Sequence, residues 1–177
     1  RSVLLTAPTG GGKTLAGFLP SLIDLASHDG EPPAGLHTLY ISPLKALSVD
    51  VARNLEAPAV EMALPISIET RTGDTPQSKR VRQRRKPPHI LLTTPESLAL
   101  LLSYADAPRM FGKLQAVIID ELHALADNKR GEMLALGLAR LATLAPNHRR
   151  IGLSATVADP PALAKWLSKT AGRVDDV

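Results

Sequence analysis

Residues 7 to 14 read Ala7-Pro8-Thr9-Gly10-Gly11-Gly12-Lys13-Thr14, and this stretch decides the fold. It lies directly after the apolar run Val3-Leu4-Leu5 and directly before a segment with the pattern of a helix. Glycines let neighbouring backbone N–H groups turn toward one anion, and the helix that follows adds the positive end of its dipole. A strand, a glycine-rich loop and a helix in this order predict an α/β domain with a phosphate-binding loop.

The loop supplies the groups that ATP and Mg²⁺ need. Lys13 reaches the β and γ phosphates, and the Thr14 hydroxyl ligates the metal. The backbone groups that would surround the phosphates belong to Thr9, Gly10, Gly11 and Gly12. The first position of the pattern is Ala7 instead of glycine. The alternative interpretation is a glycine-rich turn that caps a helix, with Lys13 in solvent.

The composition, with 177 residues and 44% hydrophobic residues, indicates one globular domain. Cysteine is absent, which excludes disulfides, and no apolar run is long enough to cross a bilayer. We therefore expect a cytoplasmic protein with no membrane partner. The net charge of +4 favours a polyanionic partner, and the five aromatic residues predict contacts mainly to a nucleic-acid backbone. Because the sequence opens at Arg1, directly before a strand, we expect it to be part of a longer protein.

Short apolar runs alternate with longer segments of helical pattern. The predicted strands are Ser2–Ala7, His37–Ser42, Ile66–Arg71, His89–Thr94, Leu114–Asp120 and Arg150–Ala155. The predicted helices are Lys13–Ser27, Leu44–Met62, Pro76–Arg85, Pro95–Ser103, Gly131–Leu144 and Pro160–Ser168. Pro58 is expected to end or kink the second helix near Glu56. Runs such as Val117-Ile118-Ile119 are typical of strands covered on both faces, so the chain predicts a parallel sheet with helices on both faces.

Polar residues follow each predicted strand, at the edge where a parallel sheet binds its ligands. Asp120 and Glu121 follow the buried run Val117-Ile118-Ile119. We expect Asp120 to hold Mg²⁺ and Glu121 to orient or deprotonate the attacking water. Adjacent parallel strands would place Asp120 beside Lys13. The alternative is an acidic pair that caps the next helix.

His123 has two interpretations. It is either a satisfied polar residue of a loop or a relay that transmits the state of the γ-phosphate to Ser154 and Thr156. The hydroxyls of Ser154 and Thr156 would give the ring partners, which favours the relay and places His123 in the catalytic set. Ordinary hydroxyls at a strand end are the alternative for both.

These residues, in this order, resemble the first RecA-like domain of superfamily 2 helicases. APTGGGKT from Ala7 resembles motif I, SPLKAL from Ser42 motif Ia, TTPESL from Thr93 motif Ib, DELH from Asp120 motif II and SAT from Ser154 motif III. RTGD from Arg71 resembles the glycine-containing segment before motif Ib. The longer runs RTGDTPQSKR and IGLSATV are similar to the large helicase-related (Lhr) group, and LARLATLAP resembles its bacterial branch, the ligase-associated DEXH-box helicases.

The resemblance implies that residues 1–177 form a RecA-like P-loop NTPase domain, the ATP-binding part of a helicase. It implies ATP-driven 3′-to-5′ movement on single-stranded DNA and unwinding of DNA or RNA–DNA duplexes, in DNA repair beside a DNA ligase and a nuclease. A second RecA-like domain, absent from this sequence, would supply an arginine finger. The implied strand contacts are Pro43, Lys45, Arg71, Thr72, Gly73, Thr94 and Pro95. Arg130 either touches DNA or pins the loop after motif II, and Lys45 and Arg71 equally fit solvated surface charges.

Two other functions are compatible with a phosphate-binding loop. A nucleotide-gated module that clamps nucleic acid without turnover would not need Glu121. A small-molecule kinase would have no use for TTPESL or SAT. The basic cluster Lys79, Arg80, Arg82, Arg84, Arg85 and Lys86 fits a solvated helix face better than a DNA patch. Without its partner domain, the chain is expected to bind nucleotide weakly, hydrolyse it slowly and not unwind.

Overall fold

The structure is a computed structural model that describes residues 2–8, 12–27, 32–61, 63–126, 128–155, 159–168 and 174–176. Its strands are β1 (Ser2–Thr6), β2 (Thr38–Ile41), β3 (Ile68–Arg71), β4 (Ile90–Thr93), β5 (Ala116–Ile119), β6 (Arg149–Ser154) and β7 (Val174–Asp176). They form one sheet in the order β3-β4-β2-β5-β6-β1-β7. Every pairing between neighbouring described strands is parallel, which confirms the predicted sheet.

Helices cover both faces of this sheet, also as predicted. They are α1 (Lys13–Ala26), α2 (Lys45–Glu61), α3 (Gln77–Arg85), α4 (Pro95–Ser103), α5 (Ala107–Phe111), α6 (Leu122–Ala126), α7 (Lys129–Leu144) and α8 (Pro160–Ser168). On one face, α1 and α2 pack with Ile118 and Leu153. On the other face, α4 to α8 pack with Val117 and Ile119. Successive residues of β5 thus enter different cores, which is why this strand is apolar without alternation.

Three elements of the structure were not predicted. Strand β7 pairs with β1 at the edge of the described sheet, and Val174–Asp176 has no apolar run that would mark a strand. Helices α5 and α6 have five residues each, which is too short for a helical pattern to emerge. Pro108 in the first turn of α5 is the one local signal for that helix.

Helix α2 corrects one of the two expectations for Pro58, namely that it ends the helix near Glu56; the expected kink stays a prediction. The helix continues through Pro58 to Glu61. Proline removes the hydrogen bond to the carbonyl four residues earlier, and here that carbonyl belongs to the exposed Asn54. Because water can reach an exposed carbonyl, the interruption costs less than it would in a buried helix.

The sheet order corrects the expectation that Lys13 and Asp120 follow adjacent strands. Lys13 follows β1 and Asp120 follows β5, and β6 lies between these two strands. All three strands end at the same edge of the sheet. The groups after β1, β5 and β6 therefore form a row, with Ser154 of β6 in its middle.

Candidate functional site

The phosphate-binding loop ends at Gly12, which has a φ of 72° and precedes the first residue of α1. This left-handed conformation favours glycine. The Lys13 Nζ atom donates to the carbonyls of Ala7, at 2.6 Å, and Pro8, at 2.8 Å. Lys13 is therefore folded back onto the two residues that follow β1, and the charged oxygens of a phosphate would be stronger partners than these carbonyls. Thr9, Gly10 and Gly11, also predicted to bind the nucleotide, lie outside the described residues.

Asp120 follows β5 and is 5% exposed. One of its carboxylate oxygens accepts the backbone N–H of Glu121 at 2.8 Å, and the other accepts the Tyr40 hydroxyl. Each oxygen keeps a further lone pair, and carboxylate and hydroxyl oxygens are the ligands that Mg²⁺ prefers. Asp120 and Thr14 therefore supply oxygen atoms of the kind that would fit a magnesium ion. Among the described residues there is no group of three or more His, Cys, Asp or Glu side chains that could hold a metal.

Glu121 has a φ of 49°, in the left-handed region that a residue with a side chain rarely adopts. Backbone strain of this kind costs about 1–3 kcal/mol and occurs most often at functional sites. The backbone turns at Glu121 after the end of β5, and α6 begins at the next residue, Leu122. The alternative was that Asp120 and Glu121 cap the next helix. Asp120 accepts the N–H of Glu121, which fits a cap, but the Glu121 side chain lies beside His123 and does not cap.

His123 joins Glu121 to β6. Its Nε2 atom lies 3.3 Å from a carboxylate oxygen of Glu121, and its Nδ1 atom lies 3.0 Å from the Ser154 hydroxyl. In the neutral ring with a proton on Nε2, the imidazole donates to Glu121 and accepts from Ser154. The structure thus brings Glu121, His123 and Ser154 into one row, as the relay interpretation requires. Thr156, the other hydroxyl of that interpretation, lies outside the described residues.

Tyr40 belongs to this site and was not predicted from the sequence. It is a fully buried residue of β2, and its hydroxyl donates to Asp120. Burial, followed by the charge of Asp120, raises the pKa of Tyr40, so the hydroxyl keeps its proton. Its ring stacks on Phe18 of α1, with 5.3 Å between the ring centroids. A lone tyrosine in the otherwise aliphatic run Leu39-Tyr40-Ile41 was the only sequence signal.

Replacing Tyr40 with Phe is expected to leave one oxygen of a buried carboxylate without its donor. An unpaired buried group costs about 1–3 kcal/mol. We expect a lower free energy of unfolding by about that amount, and slower ATP turnover because Asp120 loses its fixed orientation. Thermal unfolding and steady-state ATP hydrolysis check this. Phe keeps the stack on Phe18, so the substitution removes the hydroxyl alone. A Tyr40→Phe protein with unchanged stability and unchanged turnover would contradict the role of Tyr40.

A second group of polar residues lines a pocket of about 430 Å³ at the same edge of the sheet. The lining residues are Pro43, Lys45, Arg71, Thr72, Gly73, Arg80, Thr94, Glu96, Ser97, Leu100 and Arg130. All the implied strand contacts are among them except Pro95, which is buried in the first turn of α4. Lys45 and Gly73 are exposed, whereas Thr72 and Thr94 are largely buried and hydrogen-bonded within their own loops.

Arg71 and Lys45 differ in burial, which the sequence did not predict. Arg71 is 2% exposed and donates from Nη1 to the carbonyl of Arg80 at 2.9 Å. Burial lowers the pKa of Arg71. The interpretation of Arg71 as a solvated surface charge is therefore wrong. Lys45, by contrast, is exposed and pairs with the exposed Asp74 at 3.1 Å.

Arg80 supports the loop between β3 and α3. Its Nε atom donates to the carbonyl of Thr75 at 2.6 Å, and its Nη2 atom donates to the carbonyls of Thr72 and Gly73. Arg80 belongs to the basic cluster expected to be a solvated helix face, and for this residue the expectation is wrong. The guanidinium fits three carbonyls at once because its five N–H donors form a rigid fork.

Arg130 connects three segments of the pocket wall. Its guanidinium donates to both carboxylate oxygens of Glu96, at 2.5 and 3.1 Å, and to the carbonyl of Pro43 at 2.9 Å. Burial acts in the opposite direction, but the hydrogen bond from Arg130 holds the pKa of Glu96 below its ordinary value. Of the two interpretations of Arg130, this geometry favours pinning, with Glu96 and Pro43 as the groups that are pinned.

The start of α7 fixes the position of Arg130. The Asn128 side chain caps the helix by accepting the N–H groups of Arg130 and Gly131, at 2.9 and 3.1 Å. A Cβ atom at Gly131 would lie 1.9 Å from the carbonyl oxygen of Leu125, so only glycine fits there. This close approach joins α7 directly to α6, the helix that carries His123.

Replacing Arg130 or Glu96 with Gln is expected to weaken binding of single-stranded DNA about 3- to 10-fold, with ATP affinity unchanged. Both substitutions remove the same ion pair, so the double variant should lose no more than either single one. Fluorescence anisotropy with a labelled oligonucleotide measures this. Arg140→Gln, an exposed arginine further along α7, is the control. Additive losses in the double variant would contradict a shared role.

Comparisons with known proteins place the chain among helicases. Residues 1–163 match the family described as DEAD/DEAH box helicase. This match covers most of the chain, and the chain belongs to that family. Within the family, it is 45% identical to the ATP-dependent helicase Lhr-Core of Methanothermobacter thermautotrophicus over 94% of this chain and 21% of that protein. It is 47% identical to the Lhr helicase/probable uracil glycosylase of Mycolicibacterium smegmatis, over 94% of this chain and 12% of that protein.

A solved structure of a similar protein has the same fold. The helicase Lhr of Mycobacterium smegmatis, bound to ssDNA and AMP-PNP, superposes with a TM-score of 0.89 at 45% identity. The comparison covers 100% of this chain and 23% of that one. The predicted RecA-like fold and the resemblance to Lhr helicases are thereby confirmed. The chain spans about a fifth or less of the length of these curated relatives, and none of its described helices has the length and apolar character to cross a membrane.

Proposed function

We propose that this chain is the ATP-binding motor domain of an ATP-dependent helicase that moves on single-stranded nucleic acid. The observation that carries the proposal is the course of β2 between the two sites. Tyr40, within the strand, donates its hydroxyl to the Asp120 carboxylate. Pro43, two residues after the end of the strand, accepts a hydrogen bond from Arg130 in the wall of the second pocket. The residue that contacts the nucleotide site, Tyr40, is therefore three positions along the chain from the residue that contacts the nucleic-acid pocket, Pro43.

In the nucleotide site, we assign each residue one task. Lys13 and the loop backbone bind the β and γ phosphates, while Thr14 and Asp120 hold Mg²⁺. The bound ion supplies charge neutralisation on those phosphates. Glu121 orients the attacking water and accepts its proton, and its backbone strain keeps the carboxylate turned out of the strand. His123 holds that carboxylate on one side and the Ser154 hydroxyl on the other.

In the second pocket, we infer sequence-independent contacts to the phosphate backbone. Exposed Lys45 supplies a cation, and Gly73 lets a strand approach the backbone of the loop that Arg80 supports. Thr72 and Thr94 shape their loops, and Pro95 starts α4. The described residues that line the pocket include no aromatic side chain on which a base would stack, which favours contacts to phosphate over contacts to bases.

For the whole protein, we propose 3′-to-5′ movement on DNA, unwinding of DNA or RNA–DNA duplexes, and a role in DNA repair. Residues 1–177 would be the first of two RecA-like domains, and the second would supply the arginine finger. The resemblance of LARLATLAP to the ligase-associated branch supports a bacterial cytoplasmic protein with a DNA ligase and a nuclease as partners. The similar helicase structure with bound ssDNA and AMP-PNP supports DNA as the nucleic acid on which the protein moves and ATP as the nucleotide it hydrolyses.

Tailed duplexes test the direction of movement. The whole protein should unwind a duplex with a 3′ single-stranded tail and leave one with a 5′ tail intact. The isolated 177-residue chain should bind ATP weakly, hydrolyse it slowly and unwind neither, because the cleft that closes on ATP needs a second domain. Unwinding from 5′ tails, or strand separation by the isolated chain, would contradict the proposal.

A further inference from the structure

The basic residues of α3, and Lys86 directly after it, differ in their partners. Arg84 grips Asp106 with four hydrogen-bond contacts of 3.0–3.2 Å and lies over the ring of Tyr104. Arg82 forms a bidentate pair with Glu69, at 2.8 and 2.9 Å. Arg85 and Lys86, at the exposed end of the helix, pair with no carboxylate among the described residues.

These two free cations open onto a groove of about 640 Å³ at the edge of the sheet opposite to the nucleotide site. The groove lies at the amino ends of β2 to β5, where Ser67 precedes β3 and His89 precedes β4. We call it the basic groove. The charged residues that line it are Arg82, Arg85, Lys86, Arg109, Lys113 and Glu69.

The charges of the basic groove do not balance. Among the residues that the structure describes, its lining has five cations and one carboxylate, Glu69. Burial raises the pKa of Glu69, but hydrogen bonds from Arg82 and Gln83 hold that pKa below its ordinary value. Lys113 donates to the carbonyl of Ala34, at 3.2 Å, and pairs with no carboxylate of the described part of the chain. Arg109 lies 3.6 Å from Asp106, a carboxylate that Arg84 already grips. Like charges around one concavity repel one another, and a bound polyanion removes that repulsion.

We propose that the basic groove binds the phosphate backbone of nucleic acid, as a second contact separate from the pocket beside the nucleotide site. The described residues of its walls include Pro65, Pro87 and Pro88 and no aromatic ring. These walls offer bases no ring to stack on, whereas phosphate binding gains from counterion release. An acidic protein would need apolar or aromatic anchor sites, which protein interfaces concentrate in their centres. Met110, the largest apolar side chain in the lining, is 2% exposed.

The test compares two triple variants of the whole protein with equal loss of charge. The groove variant carries Arg85→Gln, Lys86→Gln and Lys113→Gln. The control carries Arg53→Gln, Arg140→Gln and Lys165→Gln, three exposed residues on other helices. Near-equal melting temperatures and equal ATP turnover without nucleic acid show that both are folded.

For a long single strand at about 50 mM salt, we expect the groove variant to bind about 10-fold more weakly than the wild type. The slope of log affinity against log salt should fall by about 2, or about 0.7 for each lost phosphate contact. A strand of about six nucleotides, enough for the pocket beside the nucleotide site, should bind as before. This short strand distinguishes failure of the groove proposal from failure of the main site.

Two outcomes would overturn the groove proposal. One is a groove variant that binds the long strand no more weakly than the control variant. The other concerns competition for the labelled long strand. If polyglutamate displaced this strand as well as unlabelled DNA does, and if the groove variant lost that effect, the groove would be assigned to an acidic protein.

Discussion

Replacing Glu121 with Gln is expected to stop ATP turnover and to leave ATP binding intact. Gln keeps the size of the side chain but cannot accept the proton of the attacking water. General bases contribute about 10²- to 10⁴-fold to rate, so steady-state hydrolysis with saturating DNA should fall by at least about 100-fold. The affinity for a fluorescent ATP analogue should stay within about 2-fold, because Glu121 has no task in holding the phosphates.

Glu56→Gln is the matched control for this substitution. Glu56 is an exposed carboxylate on α2, outside both sites, and its loss should leave turnover unchanged. The His123 contact gives a second check, since His123→Ala should slow turnover less than Glu121→Gln if the ring only positions the carboxylate. Turnover that persisted in the Glu121 variant would assign the base to another residue.

Replacing Lys13 with Ala is expected to weaken ATP binding on the order of 10- to 100-fold. Hydrogen bonds to charged groups contribute about 1.5–3 kcal/mol, and each 1.4 kcal/mol is about tenfold in affinity. The free energy of unfolding of the nucleotide-free protein should change little, because without nucleotide Lys13 donates to the carbonyls of Ala7 and Pro8. Equilibrium titration with a fluorescent ATP analogue and Mg²⁺ measures the affinity.

The control for Lys13 is Lys165→Ala, which removes the same charge from an exposed position on α8. Lys13→Arg adds a second check, since it keeps the charge and changes the shape, and it should restore binding only in part. An affinity for ATP that Lys13→Ala leaves unchanged would refute the assignment of the phosphate-binding loop.

The sheet, its parallel pairing and both helical layers could be predicted because their signals are local. Val117-Ile118-Ile119 is uniformly apolar because successive side chains enter two different cores. The order of the strands could not be predicted, since it depends on how helices pack between segments that are distant in the sequence. The sequence gives no local sign that β6 separates β1 from β5. The short helices α5 and α6 and the edge strand β7 had patterns too brief to recognise.

In the site, motif residues were predictable and their supports were not. Lys13, Asp120 and Glu121 have residue types that match their chemistry. Tyr40 could not be assigned, because a buried tyrosine more often only fills a core. The basic cluster of α3 shows the same limit, since its members look alike in sequence. Arg80 supports a loop, whereas Arg85 faces an open groove, and only the fold separates them.

The stimulation of ATP hydrolysis by single-stranded DNA tests the central claim most directly. The whole protein is assayed at saturating ATP with and without the strand. If β2 couples the two sites, single-stranded DNA should raise turnover on the order of tenfold or more, which corresponds to an activation free energy lower by about 1.4 kcal/mol or more. Equal turnover with and without the strand, in a protein that binds both ligands, would contradict a motor and would favour a nucleotide-gated clamp.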